Sequence, residues 1–247
     1  MKYLSTHHCH TQYSDGANSI SEMIDRAKMI GFKTIGFSDH LVLHPTLLKV
    51  DWSMNIDQIE NYICEIRKYK LDKDIEVKLG LEVDFFPNNP RNNELEEILS
   101  KYDFDFLIGS VHYINEFPLD YLKSDWEVLS QKEIDKIHIS YWENIKLMAE
   151  TNKYSIIGHI DLPKKLGFMP SLNLSNYIND AILAIKASNA MVEINTAGAF
   201  KACKEIYPST EILNQCKDLG IKIIVNDDAH TIDELGQYYK QLEELEK

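Results

Sequence analysis

Short apolar runs alternate with longer amphipathic stretches along the whole of this 247-residue chain. Six runs are typical of buried strands, and the stretch at Ser5 to Gly16 predicts an opening strand before them. The six runs are Lys33 to His40, Ile75 to Glu82, Phe104 to His112, Tyr154 to His159, Ala190 to Thr196 and Ile221 to His230. This strand–helix repetition predicts an α/β fold with a parallel sheet covered by helices.

The amphipathic stretches predict seven helices. The first has a capping box, Ser19 with Glu22 three residues on, and it ends at Gly31. The other helices are predicted over 55–71, 92–102, 130–152, 174–188, 209–219 and 231–247. Seven or eight strand–helix units in about 250 residues favour a closed barrel, and an open doubly wound sheet is the alternative.

Composition indicates one globular domain spanning residues 1–247, with 44% hydrophobic residues, 26% charged residues and a net charge of −13. This charge argues against a sequence-independent nucleic-acid binder. No apolar run approaches the ~20 residues that span a bilayer, and no signal-peptide core opens the chain. The four cysteines form no CxxC pair, which favours reduced thiols and a cytoplasmic protein. Nothing in the sequence indicates an oligomeric state.

Nearly every predicted strand ends in a side chain that can bind a metal ion. Alternation along the opening strand puts His8 and His10 on one face, and Asp15 lies in the following loop. The later strand ends supply His40, Glu82, His112, His159, Asp228 and His230. The C-terminal ends of the strands share one face of a parallel barrel, so we expect these side chains to converge there.

Nine nitrogen and oxygen ligands exceed what one ion can use, so they predict two or three divalent ions of zinc, manganese or iron. Closely spaced ions activate water and hold the attacking and leaving oxygens at phosphorus, which indicates a small phosphate ester as substrate. Three other functions stay open: an amidohydrolase-type metal hydrolase, a nucleic-acid processing module and a noncatalytic metal-binding protein.

Specific motifs surround these ligands. They are HxH at His8 and His10, YSDG at Asp15, SDH at His40, GLEVD at Glu82, GSVH at His112, GHID at His159 and DAH at Asp228 to His230. In this order they resemble the polymerase-and-histidinol-phosphatase (PHP) superfamily, and GSVHYI, GHIDLPKKLGF and EINTAG are similar to its histidinol-phosphatase branch.

The resemblance implies a distorted seven-stranded (β/α) barrel with a trinuclear metal site. One ion takes His8, His10, Glu82 and Asp228, a second takes Glu82, His112 and His159, and a third takes Asp15, His40 and His230. The implied reaction is hydrolysis of L-histidinol phosphate by metal-activated hydroxide attack on phosphorus, with Asp15 or His230 protonating the leaving oxygen. A sugar phosphate or a nucleotide is the alternative substrate.

One departure from the family concerns substrate binding. Phe200 stands where family members often carry an arginine, and no arginine follows Arg91. A guanidinium clamp from the C-terminal half is therefore excluded. The remaining candidates for contact with the substrate are His44, Arg91, Lys164, Lys165, Phe200, Lys201 and Lys204.

Carboxylates next to the predicted ligands have supporting roles. We expect Asp39 and Asp161 to orient ligand histidines, and Asp84 to lie beside the site. Asp228 rather than Asp227 is predicted to point inward, because it completes a D-x-H pair with His230.

Overall fold

The computed structural model describes residues 3–245 and has an α/β fold with parallel strands, as the sequence predicts. The chain divides into two compact units. The described part of the first comprises residues 3–83, 88–108 and 225–245, and the second comprises residues 84–87 and 109–224. The single domain over residues 1–247 stays a prediction.

The secondary structure consists of short strands and eight α-helices within the described residues. The strands are β1 (Ser5–Thr6), β2 (Thr34–Phe37), β3 (His40–Leu41), β4 (Glu76–Leu79), β5 (Glu82–Asp84), β6 (Ile108–Ser110), β7 (Tyr113–Ile114), β8 (Phe117–Pro118), β9 (Ile156–Ile157), β10 (Met191–Asn195) and β11 (Ile223–Asn226). The helices are α1 (Ile20–Ile30), α2 (Ile59–Lys68), α3 (Asn92–Lys101), α4 (Lys123–Glu127), α5 (Gln131–Glu150), α6 (Ser175–Ser188), α7 (Thr210–Asp218) and α8 (Tyr239–Leu245).

The first unit is built on the parallel strands β1, β2 and β4, in that order. The ring of Phe106 packs so closely that a Cβ atom at Gly80 would lie 2.4 Å from it. Only glycine therefore fits at this position. The predicted capping box of α1 is present, and Gly31 ends the helix in the left-handed conformation at φ 89°.

The predicted number of strands is wrong: eleven strands, not seven, occur among residues 3–245. The run from Lys33 splits into β2 and β3, and the run from Ile75 splits into β4 and β5. At the first break Ser38 N–H donates to the carbonyl of Cys9, and at the second Gly80 N–H donates to that of Phe37. Beyond these breaks β3 pairs with β5. Closure of a barrel stays a prediction.

The predicted last helix begins eight residues too early at Thr231, since α8 begins at Tyr239. Gly236 and Tyr238 have φ values of 74° and 64°, which a right-handed helix does not contain. The carboxylate of Glu234 also accepts hydrogen bonds from the N–H groups of His230 and Thr231, which holds this segment in turns. Residues 246–247, which the sequence assigns to the same helix, lie outside the described range.

The second unit contains the parallel pair β9–β10, with β6 beside β9, and the antiparallel hairpin β7–β8. The helix α5 begins at a capping box of Ser130 and Glu133 and packs against α6. On α5, His138 is buried and its Nε2 lies 2.9 Å from the carbonyl oxygen of Phe168. No helix within residues 3–245 is both long and apolar enough to cross a membrane.

Candidate metal centre

His8 and His10 follow β1 in the first unit, and both side chains are completely buried. Cys9 between them forms a parallel bridge with Ala229, and His10 N–H donates to the Ala229 carbonyl. The two imidazole rings lie 5.1 Å apart between centroids. His7 points elsewhere and packs against the ring of Phe106. His8 and His10 therefore lie side by side, as the alternation along this segment predicts.

Two carboxylates meet this pair of histidines. Nε2 of His8 lies 3.2 Å from Oε2 of Glu82 and 3.5 Å from Oδ1 of Asp228. Nε2 of His10 lies 3.1 Å from Oδ1 of Asp228 and 3.7 Å from Oε2 of Glu82. Asp228 adopts φ 52°, a left-handed conformation that aspartate tolerates better than most residues. Each of the two histidines thus contacts both of the carboxylates with which it is predicted to share an ion.

Asp15, His40 and His230 form a second group around His10. Oδ1 of Asp15 lies 3.6 Å from Nε2 of His40 and 3.4 Å from Nε2 of His230. The ring of His10 stacks on those of His40 and His230, at 4.1 and 4.2 Å. One ligand atom from each of these four residues lies within 4.8 Å of the others. His8, His10 and Glu82 also meet this criterion.

Burial and neighbouring charges set the protonation of this cluster. Burial, with help from His40 and His230, lowers the pKa of His10 to about 3. Burial favours the neutral form of Asp228, but His8 and His10 hold its pKa well below the ordinary value. Burial likewise opposes ionisation of Asp15, and its histidine neighbours, His230 first, lower its pKa. His10 is therefore neutral and both carboxylates are ionised, which are the states that bind metal.

His230 differs from His10 in protonation. Burial lowers its pKa, but the hydrogen bond to Asp15 and the charge of Asp228 outweigh burial and raise the pKa to about 9. Metal binding at this ring therefore requires the loss of a proton.

The donor set fits divalent metal ions. It contains four imidazoles and three carboxylates and no thiolate, a combination suited to zinc, manganese or iron. Nδ1 of His10 is buried with no hydrogen-bond partner among the described residues. Asp15 and His230 are about one-third exposed, whereas His8, His10 and Glu82 are buried. One side of the cluster is therefore buried, and the side formed by Asp15 and His230 is open to solvent.

The second unit brings His112 and His159 together. Their ring centroids are 4.9 Å apart. Oδ1 of Asp84 lies 2.7 Å from Nδ1 of His112 and also accepts its backbone N–H. A ring that donates from Nδ1 presents Nε2 as its acceptor, which is the arrangement of a carboxylate-supported metal ligand. The predicted role of Asp84 beside the site agrees with this contact.

A buried glutamate supports His159. Oε2 of Glu193 accepts the backbone N–H of His159 at 2.7 Å and the amide of Asn195 at 3.1 Å. Sequence reasoning missed Glu193, although a single acidic residue inside the apolar run AMVEIN was a signal.

The family model for the PHP domain matches residues 6–197. The chain belongs to the PHP domain family. This confirms the resemblance that the strand-end motifs carry.

Several relatives match almost the whole chain. A protein named "Probable histidinol-phosphatase" from Deinococcus radiodurans is 28% identical over 239 residues, covering 96% of this chain and 90% of its own. One of the same name from Schizosaccharomyces pombe is 25% identical and covers 89% of this chain and 78% of its own.

Two solved structures show the same fold at 20% identity. A candidate histidinol phosphatase from Listeria monocytogenes has a TM-score of 0.83 and covers 96% of this chain and 99% of its own. The histidinol phosphate phosphatase from Lactococcus lactis, complexed with zinc, L-histidinol and phosphate, has a TM-score of 0.72 and covers 97% of this chain and 92% of its own.

Two carboxylates lie next to predicted metal ligands in the sequence, Asp39 beside His40 and Asp227 beside Asp228, and neither has a histidine as its hydrogen-bond partner among the residues that the structure describes. Asp39 accepts hydrogen bonds from the backbone and hydroxyl groups of both Thr11 and Ser14. It therefore orders the loop that carries Asp15 instead of orienting a histidine. Asp227 contacts Thr6 and Gly236, which agrees with the inward placement of Asp228.

Asp161 also departs from its expected role. Its Oδ2 lies 2.8 Å from Nζ of Lys164 and accepts the N–H of Ser209. Nζ of Lys164 is in turn 2.7 Å from Glu205, and this lysine is only 2% exposed. Lys164 is therefore held between two carboxylates.

The other substrate-binding candidates divide into engaged and exposed side chains. Arg91 makes a two-pronged ion pair with Glu94 at 2.7 and 2.9 Å. Lys165 pairs with Asp120. His44 is buried, and its Nδ1 lies 2.9 Å from Oγ1 of Thr46, so it has no surface role. Three candidates are exposed to solvent: Phe200, Lys201 and Lys204.

Proposed function

We propose that this PHP chain is a metal-dependent phosphatase that hydrolyses L-histidinol phosphate to L-histidinol and phosphate. The observation that carries the proposal is the buried cluster of imidazoles and carboxylates around His10, which matches the donor preferences of catalytic divalent ions. Relatives that match nearly the whole chain, and that are named histidinol-phosphatases, support the choice of substrate.

The residues that would hold the metal follow from the contacts. His8, His10, Glu82 and Asp228 form one ligand set. Asp15, His40 and His230 form another. His112 and His159 are the further proposed ligands, supported by Asp84. Bound divalent ions supply Lewis acidity that polarises the phosphate ester and makes water a better nucleophile.

Asp15 and His230 together are the proposed source of the proton for the leaving oxygen: Asp15 is ionised and raises the pKa of His230, which holds the proton. They are in contact with one another and are the members of the cluster most open to solvent. A group at this edge can reach the ester oxygen of a bound substrate and exchange its proton with water afterwards. The buried members of the cluster have no such access.

The proposed partner is a small phosphate ester, not nucleic acid or a membrane. Lys165, Lys201 and Lys204 are the proposed cations for its phosphate, because solvent reaches all three side chains. Lys164 is buried between two carboxylates, and Arg91 is held by two hydrogen bonds to Glu94. The four free thiols support the predicted cytoplasmic location.

The test is steady-state phosphate release from L-histidinol phosphate, measured beside a panel of sugar phosphates and nucleotides. The protein is first loaded with zinc or manganese and its metal content is determined. We expect kcat/KM for L-histidinol phosphate of about 10⁴ M⁻¹s⁻¹ or more, well above the panel. Equal, weak turnover across the panel would reject the proposed substrate and retain a phosphatase.

A further inference from the structure

A pair of opposite charges lies beside His112 in the second unit. Oδ2 of Asp120 lies 2.8 Å from Nζ of Lys165. Asp120 directly follows Leu119, whose N–H donates to the carbonyl of His112 at 2.8 Å. Lys165 lies in the short 3-10 helix Leu162–Leu166, which begins three residues after His159. Asp120 therefore follows a residue that is hydrogen-bonded to His112, and Lys165 lies six residues after His159.

The carboxylate of this pair is ionised. Burial tends to raise the pKa of Asp120, but Lys165, His112 and His159 together hold the pKa below its ordinary value.

Accessibility distinguishes this pair from its neighbour in sequence. Lys164, held by Asp161 and Glu205, is 2% exposed and cannot meet a ligand without unfolding its surroundings. Lys165 and Asp120 are 20% and 22% exposed. A small molecule can thus reach both charges of the Asp120–Lys165 pair.

We propose that Asp120 selects the substrate by binding an ammonium group next to the phosphate ester, while Lys165 faces the phosphate. This rests on the proposed function. L-Histidinol phosphate carries its ammonium group on the carbon adjacent to the one that bears the ester, so its two charges are close together. Sugar phosphates and nucleotides have no such ammonium group. The adjacent carboxylate and ammonium of Asp120 and Lys165 complement both charges of the amino ester.

The test compares two substrates in three proteins. The substrates are L-histidinol phosphate and its deamino analogue, imidazolylpropyl phosphate. The proteins are the wild type, Asp120→Asn and Glu116→Gln, all metal-loaded. Glu116 is exposed in the turn between β7 and β8, so its variant makes the same charge change away from Lys165.

We expect Asp120→Asn to lower kcat/KM for L-histidinol phosphate by about 10- to 100-fold, mainly through KM, because a charge-assisted hydrogen bond is lost. Activity on the deamino analogue should stay within about twofold, and Glu116→Gln should change neither value. An equal loss on both substrates, or no loss on either, would overturn the proposal. Asp120→Ser replaces Asp120→Asn if the latter does not fold, with the same expectations.

Failure of the proposed function gives a different result. If the wild type does not hydrolyse L-histidinol phosphate but does hydrolyse other esters, the same three proteins are compared on 2-aminoethyl phosphate and ethyl phosphate. Loss of activity confined to the amino ester in Asp120→Asn would support ammonium recognition with another substrate. If Asp120→Asn discriminates between these two esters as the wild type does, recognition of the ammonium group by Asp120 is rejected.

Discussion

Oε2 of Glu82 lies 2.7 Å from Nδ1 of His40, and the two residues are register partners on the parallel strands β3 and β5. The same carboxylate oxygen lies 3.2 Å from Nε2 of His8. Strand pairing therefore places a buried carboxylate among histidines from separate parts of the chain. A slip of one residue in this register would turn Glu82 to the other face and remove it from the cluster.

Replacement of Glu82 by glutamine should remove metal and activity together. The neutral amide is a poor metal ligand, so we expect metal affinity to fall by more than the roughly 100-fold typical of losing a supporting residue. Elemental analysis and phosphate release measure the two losses. Glu60→Gln, an exposed position on α2, is the control. Full metal content with Glu82→Gln would contradict the placement of Glu82 in the centre.

Asp39→Asn should disorder the loop that carries Asp15. Oδ1 of the buried Asp39 carboxylate accepts four hydrogen bonds from Thr11 and Ser14, and a neutral amide oxygen accepts such bonds more weakly than an ionised carboxylate does. We expect a loss of about 1–3 kcal/mol in the free energy of unfolding, with a lower metal content. Denaturant titration of the metal-free protein measures the first effect. Unchanged stability would show that the loop does not depend on Asp39.

The sequence predicted which side chains lie close together better than it predicted the strands. Strand ends mark His8, His40 and Glu82 because a buried apolar run that ends in a charged or imidazole side chain is unusual. The strands break at residues 38–39 and 80–81, where the N–H groups of Ser38 and Gly80 donate to carbonyls distant in sequence. No local pattern contains those partners.

Supporting residues were harder to predict for the same reason. Asp39 was expected to orient a histidine, yet it binds a loop 25 to 28 residues earlier in the chain. Asp120 has no motif, and only the tertiary contact with Lys165 draws attention to it. The turns at 231–238 also escaped prediction. The helical pattern of the sequence continues through this segment, but the backbone of Tyr238 has a positive φ that a right-handed helix does not allow.

Asp84→Asn should weaken metal binding without unfolding the protein. Asp84 fixes His112 through two contacts to one oxygen, and an amide in this place no longer stabilises the ligating form of the ring. We expect metal affinity to fall by about 10- to 100-fold. Competition with a chromophoric chelator measures this, and the exposed Asp103→Asn is the control. Equal affinities in both variants would contradict the supporting role.

His138 should make stability depend on pH. Burial lowers its pKa below the ordinary value of 6.5, and this outweighs the hydrogen bond to Phe168. The unfolded chain therefore binds a proton first, and stability is lost as the pH falls from about 6.5 toward the lowered pKa. His138→Gln keeps an N–H donor but cannot titrate. Denaturant titrations from pH 7 to 5 should show wild type losing more stability than His138→Gln, whereas parallel losses would contradict this assignment.

The most direct test of the metal centre is a count of ions per chain during reconstitution of the metal-free protein, with phosphate release from L-histidinol phosphate measured at each step. We expect two or three divalent ions per chain at saturation, with activity rising as they bind. Full activity in the metal-free protein would contradict a metal-dependent phosphatase. So would the absence of any bound ion when the metal is added in large excess.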